Sequence, residues 1–226
     1  RCATPEAVLE VFESESGAFD LVNFAAATHR LLTLYHAKAP WKRLPLPRDR
    51  MLTFVAAMRT ELEAQKKAPE PRAIATLAWG LGRLDVTDRD LFVRLASAAV
   101  PQVGSFGSAD VAMMLYGFSR LGFRHKDLLD RIAERVAAKP LAYKTVELSS
   151  ILVSYASLAH PSRVLFDAAA VELMRRLRDG RRDRDWNPQI LTNVVHSFAK
   201  AGFVDSPLFH ACLPRLRADA KRMTPQ

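Results

Sequence analysis

The sequence has 226 residues, 49% hydrophobic and 25% charged, which is typical of a folded chain with a sizeable core. No stretch approaches the about 18 apolar residues of a membrane span. The two cysteines, Cys2 and Cys212, lie at opposite ends, which argues against a disulfide framework or a zinc site. The net charge is +9 and rises from +1 in residues 1–70 to +5 in residues 141–226. A basic chain of this kind favours an anionic partner, nucleic acid being the commonest, although a basic protein without such a partner is the alternative.

The first predicted element is a helix over residues 5–15. Thr4, which is followed by a proline and a glutamate, provides a side-chain cap and a favourable first turn. A weak copy of a repeat then covers about residues 20–67. Its two halves are separated by residues 39–47, where three prolines exclude a continuous helix.

Four clearer copies of this repeat follow, and each contains a segment of small, aromatic and aliphatic residues. The segments are residues 77–84 (LAWGLGRL), 114–121 (MLYGFSRL), 151–158 (ILVSYASL) and 194–201 (VVHSFAKA). Successive copies are 37, 37 and 43 residues apart, and the extra length of the last interval fits within the polar stretch 179–185. Both halves of each copy have apolar residues at helical spacing, so each copy is a pair of helices, which we term A and B.

This periodicity predicts an all-α fold, namely a right-handed α-solenoid of about five helix pairs with a 37-residue repeat. One domain is expected over residues 1–226, with eleven helices. The repeats are expected at about residues 20–67, 70–104, 108–140, 145–178 and 187–222. Neighbouring pairs must stack, because a single pair cannot bury its apolar face alone. The predicted core columns are Leu81, Phe118, Tyr155 and Phe198 in the A helices, and Leu91, Leu128, Leu165, Leu208, Leu95, Ile132, Ala169 and Cys212 in the B helices.

The ends of the A helices carry a resemblance to a known class of repeats. Residues 115–122 (LYGFSRLG) and 198–202 (FAKAG) resemble the heptatricopeptide and octotricopeptide repeats of organellar proteins, which are relatives of RAP-domain proteins. Residues 22–31 look like the repeat that often opens such arrays. The resemblance implies an α-solenoid that binds RNA in mitochondria or plastids, often in organellar ribosomes or in RNA processing. Many members also carry a C-terminal RAP domain, and no such domain is expected in this sequence.

Equivalent positions of stacked repeats form columns along one face, and one of these columns is basic. Arg83, Arg120 and Lys200 occupy it near the ends of three A helices. Cations spaced along a solenoid suit a phosphate backbone. The alternative is structural, because arginine and lysine are also favoured at helix C-termini, where they interact with the last carbonyls.

A second column is rich in planar rings, and a third contains short polar side chains. Trp79, Tyr116 and His196, together with His29, are planar rings suited to stacking on unpaired bases, although packing between helices is the commoner role of such rings. The third column consists of Ala26, Thr76, Met113, Ser150 and Asn193. Its short polar groups are suited to reading base edges, although solvated small residues are the commoner explanation for any single member.

A fourth column holds small residues in most copies: Gly80, Gly117, Ser154 and Ser197. Small residues in the middle of a helix allow another backbone to approach closely, so we predict a tight helix–helix contact there. Arg30 departs from this column and is expected to mark the end of the stack.

An arginine-rich segment lies outside the columns. Arg181, Arg182 and Arg184 belong to it, and Arg175, Arg176 and Arg178 precede them. Arginine side chains suit phosphates, so this segment is a second candidate for RNA binding. Interleaved aspartates make a solvated, self-paired loop the alternative.

Catalytic and cofactor motifs are missing from the sequence: there is no HExxH, no phosphate-binding loop and no nucleophile elbow. We therefore expect no enzyme, no cofactor and no metal site. The leading hypothesis is a non-enzymatic RNA-binding protein of the mitochondrial matrix, serving as a structural rRNA-binding component of the mitochondrial ribosome. Its expected partners are rRNA or other organellar RNA and other proteins of a large ribonucleoprotein. The alternatives are a plastid location, a transcript-specific stability, processing or translation factor, and a protein–protein scaffold.

Overall fold

A computed structural model describes residues 2–37, 46–65, 67–179 and 185–223. Within these ranges the chain forms eleven α-helices and no strand, which confirms the all-α prediction. The helices are α1 Pro5–Ser14, α2 Leu21–His36, α3 Arg48–Ala64, α4 Pro71–Arg83, α5 Arg89–Ala99, α6 Ser108–Arg120, α7 Lys126–Ala138, α8 Thr145–Ser157, α9 Arg163–Arg178, α10 Pro188–Ala201 and α11 Pro207–Met223. None of the helices in the described ranges is long and apolar enough to cross a membrane.

The helix starts follow local sequence signals. The Thr4 hydroxyl accepts a hydrogen bond from the backbone N–H three residues ahead at 3.2 Å, and Pro5 opens α1 as predicted. Asp88 caps α5 in the same way at 2.8 Å, and Asn187 caps α10 at 2.9 Å. These side chains satisfy backbone donors that have no partner inside the helix, so each fixes where its helix begins.

The same turn recurs after four of the helices, at Asp85, Gly122, Ala159 and Gly202. All four residues have a positive φ, of 54°, 66°, 49° and 82° respectively. In each turn, the next residue donates its N–H to the carbonyl five residues earlier, at distances between 2.8 and 3.1 Å. This Schellman-type geometry ends α4, α6, α8 and α10 alike and directs the chain into the following helix.

The chain divides into two compact units, Arg1–Phe123 and Arg124–Gln226. In unit 1, α4 packs between α2 and α6, and α3 packs against α1 and α5. In unit 2, α8 packs against α10, and α9 packs against α7 and α11. Helices of the same half therefore lie side by side within each unit. The unit boundary falls between α6 and α7, and a single continuous solenoid over the whole chain stays a prediction.

The predicted core columns are buried in both units. The A-helix column of Leu81, Phe118, Tyr155 and Phe198 is buried, and so are all members of the two B-helix columns. Burial raises the pKa of the Cys212 thiol to about 11, so this cysteine is a small apolar core residue, as expected.

Small residues allow close contact between the A helices of unit 1. A Cβ atom added at Gly117 would lie 2.0 Å from the Ala78 carbonyl oxygen, and one at Gly82 would lie 2.7 Å from the Gly117 Cα. At Gly80 it would lie 2.6 Å from the Thr28 Cγ2. Larger residues cannot be accommodated without moving backbone, which confirms the predicted tight contact in this unit.

The other members of this small-residue column behave differently. Ser154 and Ser197 are buried in unit 2, where each hydroxyl donates to the carbonyl of its own helix four residues earlier. Arg30 is half-buried, and its guanidinium donates to the Cys2 carbonyl oxygen from Nε at 3.0 Å. It therefore ties α2 to the segment that precedes α1.

Candidate nucleic-acid interface

The candidate RNA-binding residues of the first three columns lie on the side of the A helices that faces away from the core. We call this side the A-helix face. On unit 1, Trp79 and Arg83 of α4 are half-buried, and Tyr116 and Arg120 of α6 are exposed. On unit 2, the candidates all belong to α10: His196 and Lys200 are exposed, and Asn193 is half-buried.

Three side chains form a stack on the A-helix face of unit 1. The rings of His29 and Trp79 are inclined by 25°, with centroids 6.0 Å apart. The Arg83 guanidinium carbon lies 5.4 Å from the centroid of the Trp79 ring. The stack forms where α2 and α4 approach closely, since His29 follows Thr28 and Trp79 precedes Gly80. Trp79 thus packs against both a ring and a cation, contacts that stabilise and orient the Arg83 guanidinium.

Tyr116 provides an exposed ring of the candidate column on α6. It is 39% exposed and lies four residues before Arg120, so both side chains are on the same side of α6. A base stacked on this ring would lie next to a cation. Since every base has a π-face, such stacking is tolerant of sequence.

Arg120 and Arg83 differ in their electrostatic partners. The Arg120 Nε lies 3.4 Å from a carboxylate oxygen of Asp85, and both side chains are exposed. Arg83 makes no ion pair with any residue in the described part of the chain, and its recorded partner is the Trp79 ring. Arg83 therefore keeps its hydrogen-bond donors available for an anion.

Arg72 is a basic residue of this face that the repeat pattern does not reveal. It lies in the first turn of α4, is mostly exposed, and forms an ion pair with Asp110 in the first turn of α6. Its guanidinium also contacts the Met113 sulfur at 3.7 Å. Equivalent positions in the following copies are Ala109, Val146 and Gln189, so no basic column marks this site in the sequence.

The A-helix face of unit 2 carries fewer charges. Lys200 lies in the last turn of α10, where a cation also interacts favourably with the helix dipole. The equivalent position on α8 is Ser157, and the ring column there holds Val153. The features expected of an RNA-binding face are therefore concentrated in unit 1.

The arginine-rich segment has a structural component. Arg181, Arg182 and Arg184 lie outside the described residues. Arg176, grouped with them by sequence, is only 2% exposed, and its Nε donates to Glu172 at 2.5 Å. A solvated or phosphate-binding role for Arg176 is therefore wrong, because its guanidinium lies in the core of unit 2.

The buried carboxylate of Glu172 has more than one arginine partner. Arg175 donates to it through two nitrogens, at 2.8 and 2.7 Å. The pKa of Glu172 lies below its usual value because Arg175 hydrogen bonds to the carboxylate and Arg176 adds to the effect, against the opposing influence of burial. Arg176 also donates to the Thr145 hydroxyl at 3.3 Å, which links α9 to the start of α8.

These observations describe a helical protein with side-by-side A helices and a face of arginines and aromatic rings. Residues 64–163 match the model of the family described as RNA-editing substrate-binding complex 6 protein. The match covers less than half of the chain and includes Trp79, Arg83, Tyr116 and Arg120. No curated protein matches the chain. The similarity associates the middle of the chain with RNA, and it gives no support to a heptatricopeptide or octotricopeptide assignment.

Proposed function

We propose that this protein is a non-enzymatic RNA-binding protein that works within a larger mitochondrial ribonucleoprotein assembly. The observation that carries the proposal is the A-helix face of unit 1. There the His29–Trp79–Arg83 stack lies on the same face as Tyr116, and the α4 and α6 residues fall inside the matched range. Arginine donors and exposed rings together are the combination that binds single-stranded nucleic acid.

The chemistry of binding follows from these side chains. The guanidinium of Arg83 contacts backbone phosphates, and Tyr116 stacks on an unpaired base. RNA presents such bases in loops and single strands, so a single-stranded segment is the preferred ligand. On unit 1 the third column holds Ala26, Thr76 and Met113, and only Thr76 has a polar side chain, which favours binding that depends little on base identity.

The B helices of unit 1 form the face opposite to the A-helix face, and this second face is less suited to binding an anion. Three of its arginines are engaged by neighbouring acids: Arg50 pairs with Glu13, Arg59 with Asp88 and Asp90, and Arg94 with Glu63. An RNA strand would have to displace carboxylates from each of these three arginines. The A-helix face has an arginine that needs no such displacement.

The kind of assembly follows from the comparison. The matched family is described as part of an RNA-editing substrate-binding complex, which supports RNA and protein partners for this chain and a mitochondrial location. We therefore place the protein among components that hold an RNA substrate for processing. The match lends no support to the ribosomal role, which stays a prediction, as does the plastid alternative.

The proposal is tested by measuring the affinity for a fluorescein-labelled oligouridylate over a salt series. The dissociation constant should rise steeply with salt, because phosphate contacts release counterions. Replacing Arg72, Arg83 and Arg120 together by Gln should lower the slope of log affinity against log salt by up to about 3. Arg131→Gln, an exposed arginine of α7, is the single-site control and should leave affinity unchanged. Absent or salt-independent binding would contradict the proposal and favour a protein–protein scaffold.

A further inference from the structure

The three arginines on the A-helix face of unit 1 have different surroundings. Arg83 lies over the Trp79 ring and has no carboxylate partner in the described residues. Arg120 pairs with Asp85, and Arg72 pairs with Asp110. Two of the three cations are thus already neutralised by carboxylates of the same chain.

The carboxylates are positioned by backbone features at both ends of the α4–α6 pair. Asp85 lies two residues after the end of α4 and has a φ of 54°, and the equivalent turn positions after α6 and α10 are occupied by Gly122 and Gly202. Its side chain is 68% exposed, so it is accessible to solvent and to a ligand. Asp110 lies in the first turn of α6, where it accepts a hydrogen bond from the Gly107 N–H at 3.3 Å. Its side chain is only 14% exposed, so the carboxylate is held in place.

We infer that Arg83 is the principal phosphate contact and that Asp85 and Asp110 compete with RNA phosphates for Arg120 and Arg72. This inference rests on the proposed function and assigns a separate role to each charged residue of the face. The carboxylates then set the RNA affinity, because each must release its arginine before that arginine binds a phosphate.

The exchange is feasible at Arg120 because both side chains of its pair with Asp85 are exposed, and exposed ion pairs contribute little free energy in water. At the Arg72–Asp110 pair the arginine is the exposed partner, so it is the side chain that moves to a phosphate. A phosphate offers the same type of acceptor as the carboxylate it replaces, and guanidinium groups bind both through paired donors. Arg83 needs no exchange. Its contact with Trp79 is made through the ring face and leaves its N–H groups available in the plane of the guanidinium.

The experiment measures oligouridylate affinity by fluorescence anisotropy for single and double variants. Arg83→Gln should weaken binding about tenfold and lower the salt slope by about 1. Asp85→Asn and Asp110→Asn should each tighten binding about two- to fivefold. Asn tolerates the backbone conformation of Asp85, so the fold is retained there. Asp127→Asn is the matched control: it removes the same charge from an exposed ion pair with Arg131 on α7 and should leave affinity unchanged.

A double variant separates competition from a general charge effect. Arg120→Gln should weaken binding only slightly in the wild-type background and more strongly in the Asp85→Asn background. If both Asp variants bind with unchanged or lower affinity while Arg83→Gln weakens binding, the carboxylates only tie α4 to α6. The inference is then overturned and the proposed function stands. Loss of binding for Arg72→Gln and Arg120→Gln but not for Arg83→Gln would overturn it as well.

A wild-type chain that does not bind the oligouridylate contradicts the proposed function itself. Thermal unfolding of every variant identifies those that fail to fold. If Asp110→Asn is among them, Asp85→Asn and its double variant decide the outcome.

Discussion

Unit 1 and unit 2 contain the same turn between their A and B helices, yet they use charged residues in different ways. In unit 1, Arg83 and Arg120 lie at or near the surface of the A helices, next to aromatic rings. In unit 2, Arg176 is buried on a B helix and serves packing. Whether an arginine in a basic stretch of sequence is exposed or buried thus depends on the helix face on which it lies.

The contacts between A helices differ in a related way. Unit 1 brings α4 and α6 together through Gly82 and Gly117, whose missing side chains allow backbone contact. Unit 2 has Ser154 and Ser197 at the positions equivalent to Gly80 and Gly117, and their hydroxyls donate to carbonyls of their own helices. The A helices that approach closely in unit 1 also carry the stack of His29 and Trp79, the one aromatic stack described on an A-helix face. The features that the proposed RNA binding requires are therefore found mainly in unit 1, whereas the buried serines and Arg176 of unit 2 serve packing.

The largest loss of folding stability is expected when a charge is introduced into the core of unit 1. Phe118 is buried against Phe92 and Phe123, with ring centroids 5.2 and 5.5 Å away. Phe118→Asp should lower the free energy of unfolding by more than about 4 kcal/mol, because it creates a cavity and buries an unpaired carboxylate. Urea unfolding followed by circular dichroism measures this change. Tyr116→Asp, on the exposed face of the same helix, is the control; equal losses for both variants would contradict the assigned helix orientation.

A slightly smaller loss of folding stability is expected when the buried ion pair of unit 2 is broken. Arg176→Met should lower the free energy of unfolding by about 3 kcal/mol, because it removes a buried partner of the Glu172 carboxylate. Arg178→Met changes an exposed arginine of the same helix and should cost less than about 0.5 kcal/mol. Chemical denaturation of the two variants makes the comparison. Similar small losses would show that Arg176 is solvated after all.

The ion pair between Arg176 and Glu172 predicts that the free energy of unfolding depends on pH. The folded-state pKa of Glu172 is lowered from 4.5 by its arginine partners, so its ionised form stabilises the folded protein. This contribution is fully present above the unfolded pKa and is lost as the pH falls through the folded pKa. The gap in unfolding free energy between the wild type and Glu172→Gln should therefore be large at neutral pH and shrink below about pH 4. A gap that is independent of pH would contradict the assigned ion pair.

The smallest change in the free energy of unfolding is expected for variants of the turn that the two units share. Ala159 adopts a φ of 49° in unit 2, where unit 1 has Gly122 at 66°. Ala159→Gly should raise the free energy of unfolding by up to about 1 kcal/mol, and Gly122→Ala should lower it by a similar amount. Opposite shifts of the thermal midpoint are the expected result. Shifts in the same direction would show that the two turns are not equivalent.

The buried columns and the turns were predictable from the sequence because each imposes a strict local requirement. Phe118 and Phe198 occupy the same position in different copies of the repeat, because a large apolar residue is needed there to fill the core. Glycine occupies two of the turn positions with positive φ, Gly122 and Gly202, because a residue without a Cβ atom adopts this conformation without strain. The aromatic candidates were also found by their column, although the packing of Trp79 against His29 depends on how closely α2 and α4 approach.

Pairing between charges was not predictable in this way. The Arg72–Asp110 pair joins residues 38 positions apart at a site that no other copy repeats. Arg176 lies in an arginine-rich stretch that suggests a solvated loop, whereas in the fold it is buried and hydrogen bonds to Glu172 of its own helix and to Thr145 of α8. The four-residue spacing of Glu172 and Arg176 is visible in the sequence, but the burial of their pair is not. The Arg72–Asp110 pair depends on the distance between two helices, which a residue pattern does not encode.

The most direct test of where RNA binds is ultraviolet crosslinking of the intact chain to oligouridylate, followed by mass spectrometry of the crosslinked peptides. The A-helix face of unit 1 predicts crosslinks at Trp79 and Tyr116, which weaken in Arg83→Gln at equal RNA concentration. Crosslinks confined to unit 2, including the segment that carries Arg181, Arg182 and Arg184, would contradict the assignment of RNA binding to unit 1.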